Sequence, residues 1–447
     1  MRSPAELAVT IPRRWVWALG VAIAVLVGLL GWLLLVGRVV APGADETAQG
    51  IVGAGDRRVM GPVPLRLTTA PQHLAVAGDA ARGVDEYEIC GGAWVKANPD
   101  GSVDEQTLRD TMRRDEAALA IDRALANDSR PLAQAARLLL GMIVGGDDRR
   151  RASMAGALGC GGEACAPTLA ASGPDQDAEA AVAASREALA RLAVTTTDPA
   201  AYAIAYRVCG PVREGSCGML SADQWARLDP GNAAPWYEVY AAAQKRKDSA
   251  SANEALHRIA TSQRSDQRVF EMAGMLIDAV PQDDALRNGA FMLAVEMIGV
   301  EVGWVAPAMQ PLVAACRREP MRDSNRRQTC EAIADLLFQK SDTLIERSTG
   351  AVVGRQLGWS EERLDRMRAE HQAFAESSYA GIEPNRTMGC ESIKRVADDL
   401  RRKARLGEVG AMREWLAREA PPSDELLRRY RAAQAAQAAS AASATGQ

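Results

Sequence analysis

Cysteine is the residue type whose number and spacing carry most of the chemistry in this 447-residue chain. Zinc sites and redox dithiols usually contain two cysteines in a C-x-x-C arrangement, and no two cysteines here have that spacing. Disulfide bonds are the remaining chemistry, because an even number of cysteines is typical of exported domains that form them. The eight cysteines are Cys90, Cys160, Cys165, Cys209, Cys217, Cys316, Cys330 and Cys390.

Proximity along the chain suggests how these cysteines pair. Three pairs each enclose a short polar or glycine-containing segment, and the two remaining cysteines would join the start of the folded body to its end. Eight cysteines allow many connectivities, so the pairing is a prediction. The predicted pairs are Cys90–Cys390, Cys160–Cys165, Cys209–Cys217 and Cys316–Cys330.

Signatures of catalysis are missing from the sequence. It contains no P-loop, no G-x-G-x-x-G, no H-E-x-x-H and no G-x-S-x-G, and its three histidines, His73, His257 and His371, lack flanking motifs. We therefore predict no catalytic residue, no cofactor and no metal site. Carboxylates are plentiful, so an acid/base pair of the kind that glycosidases use stays open. The sequence favours a protein that is not an enzyme but leaves the question undecided.

Charge excludes nucleic acid as a general partner, because the formal net charge is −4. Two arginine clusters, 317–327 and 401–405, allow two interpretations. They bind an anionic polymer, or they are solvated helix faces in which glutamate and aspartate neutralise the arginines. Runs of this kind more often belong to solvated faces, so we expect the second.

One apolar run near the N-terminus decides the predicted location. Residues 15–36 contain no charged side chain, and 22 residues at about 1.5 Å each cross the hydrocarbon core of a bilayer. A cleaved signal peptide is the alternative, but its apolar region would be shorter. We therefore predict a transmembrane anchor over 15–37. The residues that define it are Trp15, Trp17, Gly20, Ala24, Gly28, Trp32 and Val36.

Arginines around this anchor predict its orientation. Arg2, Arg13 and Arg14 precede it, and only Arg38 follows closely, so residues 1–14 are expected in the cytoplasm and the bulk of the chain in the periplasm. Small residues spaced four apart on the anchor let two membrane helices approach closely. A homodimer through this face is one expectation, and the general abundance of alanine and glycine is the alternative explanation.

Beyond the anchor, the pattern predicts a linker and then an all-α body. Residues 38–86 have the composition of a linker, 87–431 contain helix after helix, and 432–447 have the low complexity of a disordered tail. Short connections favour antiparallel helical hairpins, arranged as an array or an irregular solenoid. The second half of the body and the start of the tail include expected helices at 266–279, 283–299, 306–318, 326–347, 360–378, 389–406, 408–418 and 423–438.

Residues 229–262 resemble a tetratricopeptide repeat. The segment begins with Leu228-Asp229-Pro230-Gly231-Asn232, continues with Trp236 early in a first helix, and carries Ala252 and Leu256 on a second. The resemblance covers one repeat, and the proline that usually closes such a unit is absent. It implies a helical hairpin that needs stacked neighbours and, by association, protein binding.

These observations predict a single-pass inner-membrane protein of the bacterial envelope. Its periplasmic helical domain, held by disulfides, would bind or scaffold another envelope protein without catalysis. A hydrolase acting on cell-wall polymer is the alternative.

Overall fold

The computed structural model describes residues 86–90, 93–96, 105–158, 176–210, 212–280, 284–317, 319–378 and 390–445. The predicted cytoplasmic tail, the anchor with all its named residues, and the linker up to residue 85 lie outside the described residues, as does the Cys160–Cys165 pair.

Helices dominate this part of the chain, which confirms the all-α class. Two short strands, β1 (Glu86–Ile89) and β2 (Ala93–Lys96), pair antiparallel with Tyr87 opposite Val95. The helices are α1 (Glu105–Thr111), α2 (Arg114–Ala126), α3 (Pro131–Leu158), α4 (Gln176–Thr195), α5 (Pro199–Cys209), α6 (Ala222–Leu228), α7 (Ala234–Arg246), α8 (Ser249–Thr261), α9 (Glu271–Ala279), α10 (Asp284–Ala315), α11 (Ser324–Lys340), α12 (Leu344–Leu357), α13 (Glu361–Ser378), α14 (Cys390–Leu406), α15 (Glu408–Arg418) and α16 (Ser423–Thr445). Short 3₁₀ turns occupy Gly215–Met219 and Pro320–Arg322.

Local sequence explains where several helices begin. The carboxylate of Asp198 accepts a hydrogen bond from the N–H of Ala200 at 2.8 Å, and Pro199 takes the first position of α5. Thr343 caps α12 by accepting from the N–H of Glu346 at 3.2 Å. Such caps satisfy backbone donors that have no partner within the helix.

Helix packing combines sequential hairpins with contacts between distant segments. The pairs α3–α4, α7–α8 and α11–α12 pack as neighbours in sequence, whereas α2 packs on α10 and α9 packs on α14. A linear solenoid has contacts between adjacent repeats only, so the described body is more closed than that. At the α9–α14 contact a Cβ on Gly274 would lie 2.5 Å from the Cβ of Ala404, so the close approach requires glycine.

The longest helix, α10, replaces the two helices predicted at 283–299 and 306–318. Its segment Leu286–Ala315 is the one stretch among the described residues that is long and apolar enough to cross a membrane by length and composition alone. Leu293, Met297 and Leu312 on it are fully buried against other helices. A helix that is apolar on most sides is typical of the core of a large domain, and packing along both halves keeps it continuous.

Three further boundaries differ from the prediction. The single helix expected over 326–347 is interrupted at 341–343, where α11 ends and the side chain of Thr343 caps the start of α12. The body, expected to be helical from residue 87, begins with the β1–β2 hairpin, in which Val95 is buried. The tail expected to be disordered from 432 continues α16 as far as Thr445. Alanine and glutamine have high helix propensity, so this low-complexity sequence extends a helix that has already formed.

Candidate functional site

Four connections between helices meet at one place, which we call the loop junction. The N–H of Arg264 donates to the carbonyl oxygen of Gly231 at 3.1 Å, and the N–H of Asp342 donates to that of Ser265 at 2.9 Å. The N–H of Val409 donates to the carbonyl oxygen of Asp342 at 3.0 Å. These bonds join backbone segments that are far apart in sequence. The connections are 229–233, 262–270, 340–343 and 407–409.

The central connection, 262–270, has an unusual backbone. Arg268 and Phe270 have φ angles of 57° and 80°, a conformation that residues other than glycine seldom adopt. The carboxylate of Asp342 accepts hydrogen bonds from the N–H groups of Gln267 at 3.0 Å and Arg268 at 2.8 Å. Glu301, on α10, accepts from the N–H of Phe270 at 3.1 Å. Two carboxyl groups from other elements therefore hold the connection in this shape, and such backbone is often found at functional sites.

Glu346 is the most enclosed of the acidic side chains. Its carboxylate accepts from the side-chain amide of Gln267 at 2.9 Å, from the hydroxyl of Thr343 at 3.0 Å, and from the hydroxyl of Ser265. Burial raises the pKa of Glu346. Burial, and then the neighbouring carboxyl of Glu346, raise the pKa of Asp342 well above its ordinary value. Every oxygen of Glu346 thus has a donor from the protein itself.

Arg207 supplies positive charge beneath the junction. Its guanidinium donates to the backbone carbonyl of Gln267 at 3.0 Å and also to the side-chain oxygen of that residue. It lies over the rings of Trp225 and Trp304, 4.9 and 5.9 Å from their centroids. Burial lowers the pKa of Arg207, against the attraction of nearby carboxylates. The interior under the junction is therefore polar, and the Nε of Arg207 has no hydrogen-bond partner among the described residues.

A groove runs from the loop junction across the outer surface. It consists of a larger cavity of about 860 Å³ and a smaller one of about 300 Å³, which have Arg268, Glu271, Ala404 and Arg405 in common. We call the two together the groove. Apolar residues from α2, α3, α9 and α14 line the larger cavity. They are Ala124, Leu125, Leu132, Met275, Ala279 and Ala404.

Most charges around the larger cavity are paired. Arg130 lies 2.6 Å from Asp128, and Arg401 lies 2.6 Å from Asp278. Arg402 and Arg405 also line this cavity, and neither has a carboxylate partner among the residues that the structure describes. Within the described residues, the wall formed by α14 therefore presents two arginines that form no ion pair.

Two acidic residues of the groove, Asp342 in the smaller cavity and Glu271 in both, have pKa values that burial raises. The carboxyl group of Asp342 already holds the backbone of the junction, so Glu271 is the groove residue suited to act as an acid or base. Burial raises its pKa to about 7, although Arg268 opposes the shift. Its carboxylate lies 3.3 Å from the guanidinium of Arg268 and faces both cavities. A carboxyl group that titrates near neutral pH at the wall of a groove is suited to proton transfer.

The structure joins three of the predicted disulfide pairs. Cys90–Cys390 closes a separation of 300 residues, Cys209–Cys217 one of 8, and Cys316–Cys330 one of 14. None of the six touches the groove lining, so these bonds hold the scaffold. Among the residues described, no group of His, Cys, Asp and Glu is arranged to hold a metal ion.

The segment that resembles a repeat forms the α7–α8 hairpin. Ala252 and Leu256 are buried, whereas Trp236 is half-buried, with the guanidinium of Arg258 5.7 Å from its ring centroid. Tyr237, the next residue, is fully buried, and its hydroxyl is 2.6 Å from that of Ser265. The hairpin therefore packs through buried residues of both helices and reaches the loop junction through Tyr237.

The sequence patterns did not predict the carboxyl groups of the junction, although two of those groups have a recognisable sequence context. Glu301 is an isolated acid in an apolar run, and Thr343 to Glu346 has the capping pattern T-x-x-E. Of the histidines, His371 is buried, which lowers its pKa to about 3, and His257 is exposed. Neither lines the groove.

Comparison with protein-family models, with curated proteins and with solved structures finds no match to this chain.

Proposed function

We propose that this protein is a single-pass inner-membrane protein whose periplasmic helical domain binds an envelope protein without catalysing a reaction. The anchor expected over 15–37 and the arginines before it support this location and orientation. Three disulfides support an oxidising compartment for the domain. The small residues of the anchor, Gly20, Ala24 and Gly28, are compatible with a homodimer.

The groove is the observation on which the binding role depends. A concave surface with an apolar floor and a charged rim has the composition of a recognition site. Met275 and Ala279 contribute to this floor, and Arg130 and Asp278 to its rim. The resemblance of 229–262 to a tetratricopeptide repeat points in the same direction, since proteins built from such hairpins bind other proteins.

The hydrogen bonds of the buried carboxylates favour a binding role over a hydrolytic one. Asp342 and Glu346 accept hydrogen bonds from backbone and side-chain donors of the junction. A general acid or base must exchange a proton with substrate. Carboxyl oxygens that already hold the protein's own backbone in place serve the fold instead.

Blocking the groove tests the proposal. Ala124 is exposed and lines the larger cavity, so Ala124→Trp fills the groove at little cost to folding. Ala126→Trp, exposed on the same helix but outside the groove, is the matched control. After crosslinking in intact membranes, a stable partner should be recovered with wild-type protein and with Ala126→Trp but lost with Ala124→Trp. Equal recovery with all three would remove the groove as the binding site.

A hydrolase acting on cell-wall polymer is the second candidate, and Glu271 is the observation that favours it. Its pKa of about 7 and its position on both cavities suit a general acid. Zymography on peptidoglycan decides the matter. Clearing by wild-type protein that Glu271→Gln abolishes would establish the enzyme, and no clearing by either would leave the binding role.

A further inference from the structure

The arginine cluster 401–405 divides into two kinds of side chain. Arg401 and Lys403 are neutralised, with Arg401 2.6 Å from Asp278 and Lys403 2.8 Å from Asp399. Arg402 and Arg405 line the groove and have no carboxylate partner among the described residues. The paired members behave as a solvated helix face, and the other two leave guanidinium donors directed at the groove.

The end of the groove at the loop junction carries an excess of positive charge. Six cationic and three acidic side chains line the smaller cavity, and two of the cationic ones are paired with carboxylates outside its lining, Arg264 with Asp229 and Lys403 with Asp399. The cationic ones are Arg264, Arg268, Lys340, Lys403, Arg405 and Arg413, and the acidic ones are Asp266, Glu271 and Asp342. Burial raises the pKa of Glu271 to about 7 and that of Asp342 well above its ordinary value, which increases the excess near neutral pH. An anionic group is therefore favoured at this end.

The rest of the groove limits what can carry that anionic group. Leu125, Leu132 and Met275 form an apolar floor, which a phosphate-rich polymer does not use. The arginines of the rim, Arg130 and Arg401, are already paired with Asp128 and Asp278, so they present little uncompensated charge to a chain that is negative along its whole length. A peptide with apolar side chains and a local acidic group fits both ends.

We propose that the groove binds a peptide segment of the partner, with apolar side chains on the floor of the larger cavity and acidic side chains at Arg402 and Arg405. Arg405 belongs to both cavities, so the acidic group lies where they meet. This inference rests on the proposed function as a protein-binding domain and adds the chemistry of the segment that is recognised.

Peptide selection tests it without knowledge of the partner. The full chain in detergent micelles is used to select from random short peptides displayed on phage. The expected winners combine apolar residues with aspartate or glutamate. Their affinity should fall at least roughly tenfold for the double variant Arg402→Glu/Arg405→Glu, because each reversed charge repels the acidic group. The double variant Arg317→Glu/Arg322→Glu, with the same charge change on two exposed arginines outside the groove, should bind as wild type does.

Each other outcome overturns the inference in a recognisable way. Selected peptides that lack acidic residues and do not bind the Ala124→Trp variant would support binding in the groove but contradict a preference for acidic side chains. Winners that the Arg402→Glu/Arg405→Glu variant binds unchanged would place the acidic contact elsewhere. Binding of inorganic polyphosphate with no enrichment of acidic peptides would assign the arginines to an anionic polymer. Enrichment of no peptide at all would remove the proposed function together with the inference.

Discussion

The carboxyl groups of the loop junction and the arginines of the α14 wall are both polar clusters, but the protein uses them differently. Glu346 is fully buried and receives donors on both oxygens, whereas Arg402 and Arg405 have no carboxylate partner in the described part of the chain. A buried polar group must be satisfied internally, and an exposed one is satisfied by water. The acidic cluster therefore serves stability, and the basic one is available for recognition.

The largest expected effect on the free energy of unfolding comes from a change of pH, which acts on the buried carboxyl groups and leaves the arginines charged. Burial raises the pKa of Glu301 to about 8, from 4.5. The folded protein thus holds a proton that the unfolded chain loses at lower pH. Its contribution is complete below pH about 4.5 and is lost as pH rises through about 8, a total on the order of 5 kcal/mol.

Urea denaturation at a series of pH values measures this contribution. Glu301→Gln keeps the size and an acceptor for the N–H of Phe270 but cannot ionise. Its stability should therefore decline less with rising pH than that of wild type. Glu362→Gln, on an exposed residue, should follow the wild-type curve. Parallel curves for Glu301→Gln and wild type would show that Glu301 does not hold the proton.

Removal of the Glu346 carboxylate is expected to have the next largest effect. Glu346→Ala leaves the side chains of Gln267, Ser265 and Thr343 without their buried acceptor, at a cost of about 3 kcal/mol in the free energy of unfolding. The midpoint of urea unfolding measures it. Glu361→Ala, on a mostly exposed side chain, is the control and should cost less than about 0.5 kcal/mol. Equal costs would contradict a structural role for the junction.

A smaller effect is expected from the glycine beside the junction. Gly407 has φ 70°, and an added Cβ would lie 2.9 Å from the Cβ of Asp342. Gly358 has φ 91° with open space around it. Gly358→Ala should cost about 1 kcal/mol through backbone strain alone. Gly407→Ala should cost about 2 kcal/mol, since overpacking is added. Thermal unfolding compares the two, and an identical loss would mean that Asp342 moves away freely.

The smallest effect is expected at the basic wall. Arg402→Ala and Arg405→Ala remove no ion pair within the described residues, so each should change the free energy of unfolding by less than about 0.5 kcal/mol. Denaturation by urea is again the measurement. Core substitutions typically cost about 2–5 kcal/mol. A loss in that range would show that these arginines stabilise the fold, as the acidic cluster does, and would weaken their proposed role in recognition.

Local patterns were sufficient for part of the fold. Alanine-rich periodic segments predicted an all-α body, and short separations between cysteines suggested Cys209–Cys217 and Cys316–Cys330, which the structure joins. Asp198 and Pro199 form a local N-cap pattern, and α5 begins there. In each case the determining residues lie within about twenty positions of one another, so the sequence alone contains the information.

Features made by distant contacts were not predictable in this way. Gln267 meets Asp342 and Glu346 across 75 and 79 residues, and no local pattern specifies that meeting. The continuity of α10 likewise depends on helices packed along both halves. The arginine cluster 401–405 was noticed, and Arg401 and Lys403 have local partners in Asp398 and Asp399, but the contact of Arg401 with Asp278 joins two different helices and is not encoded locally.

The bond between Cys90 and Cys390 has a mechanical consequence. It joins the residues just before the helical body to the first residue of α14, across a separation of 300 residues. Tension between the N-terminal side of the chain and a partner held on α14 would pass through this single covalent crosslink. The intervening helices would bear little of that load, so the domain would resist extension under a pull applied between its N-terminal side and α14.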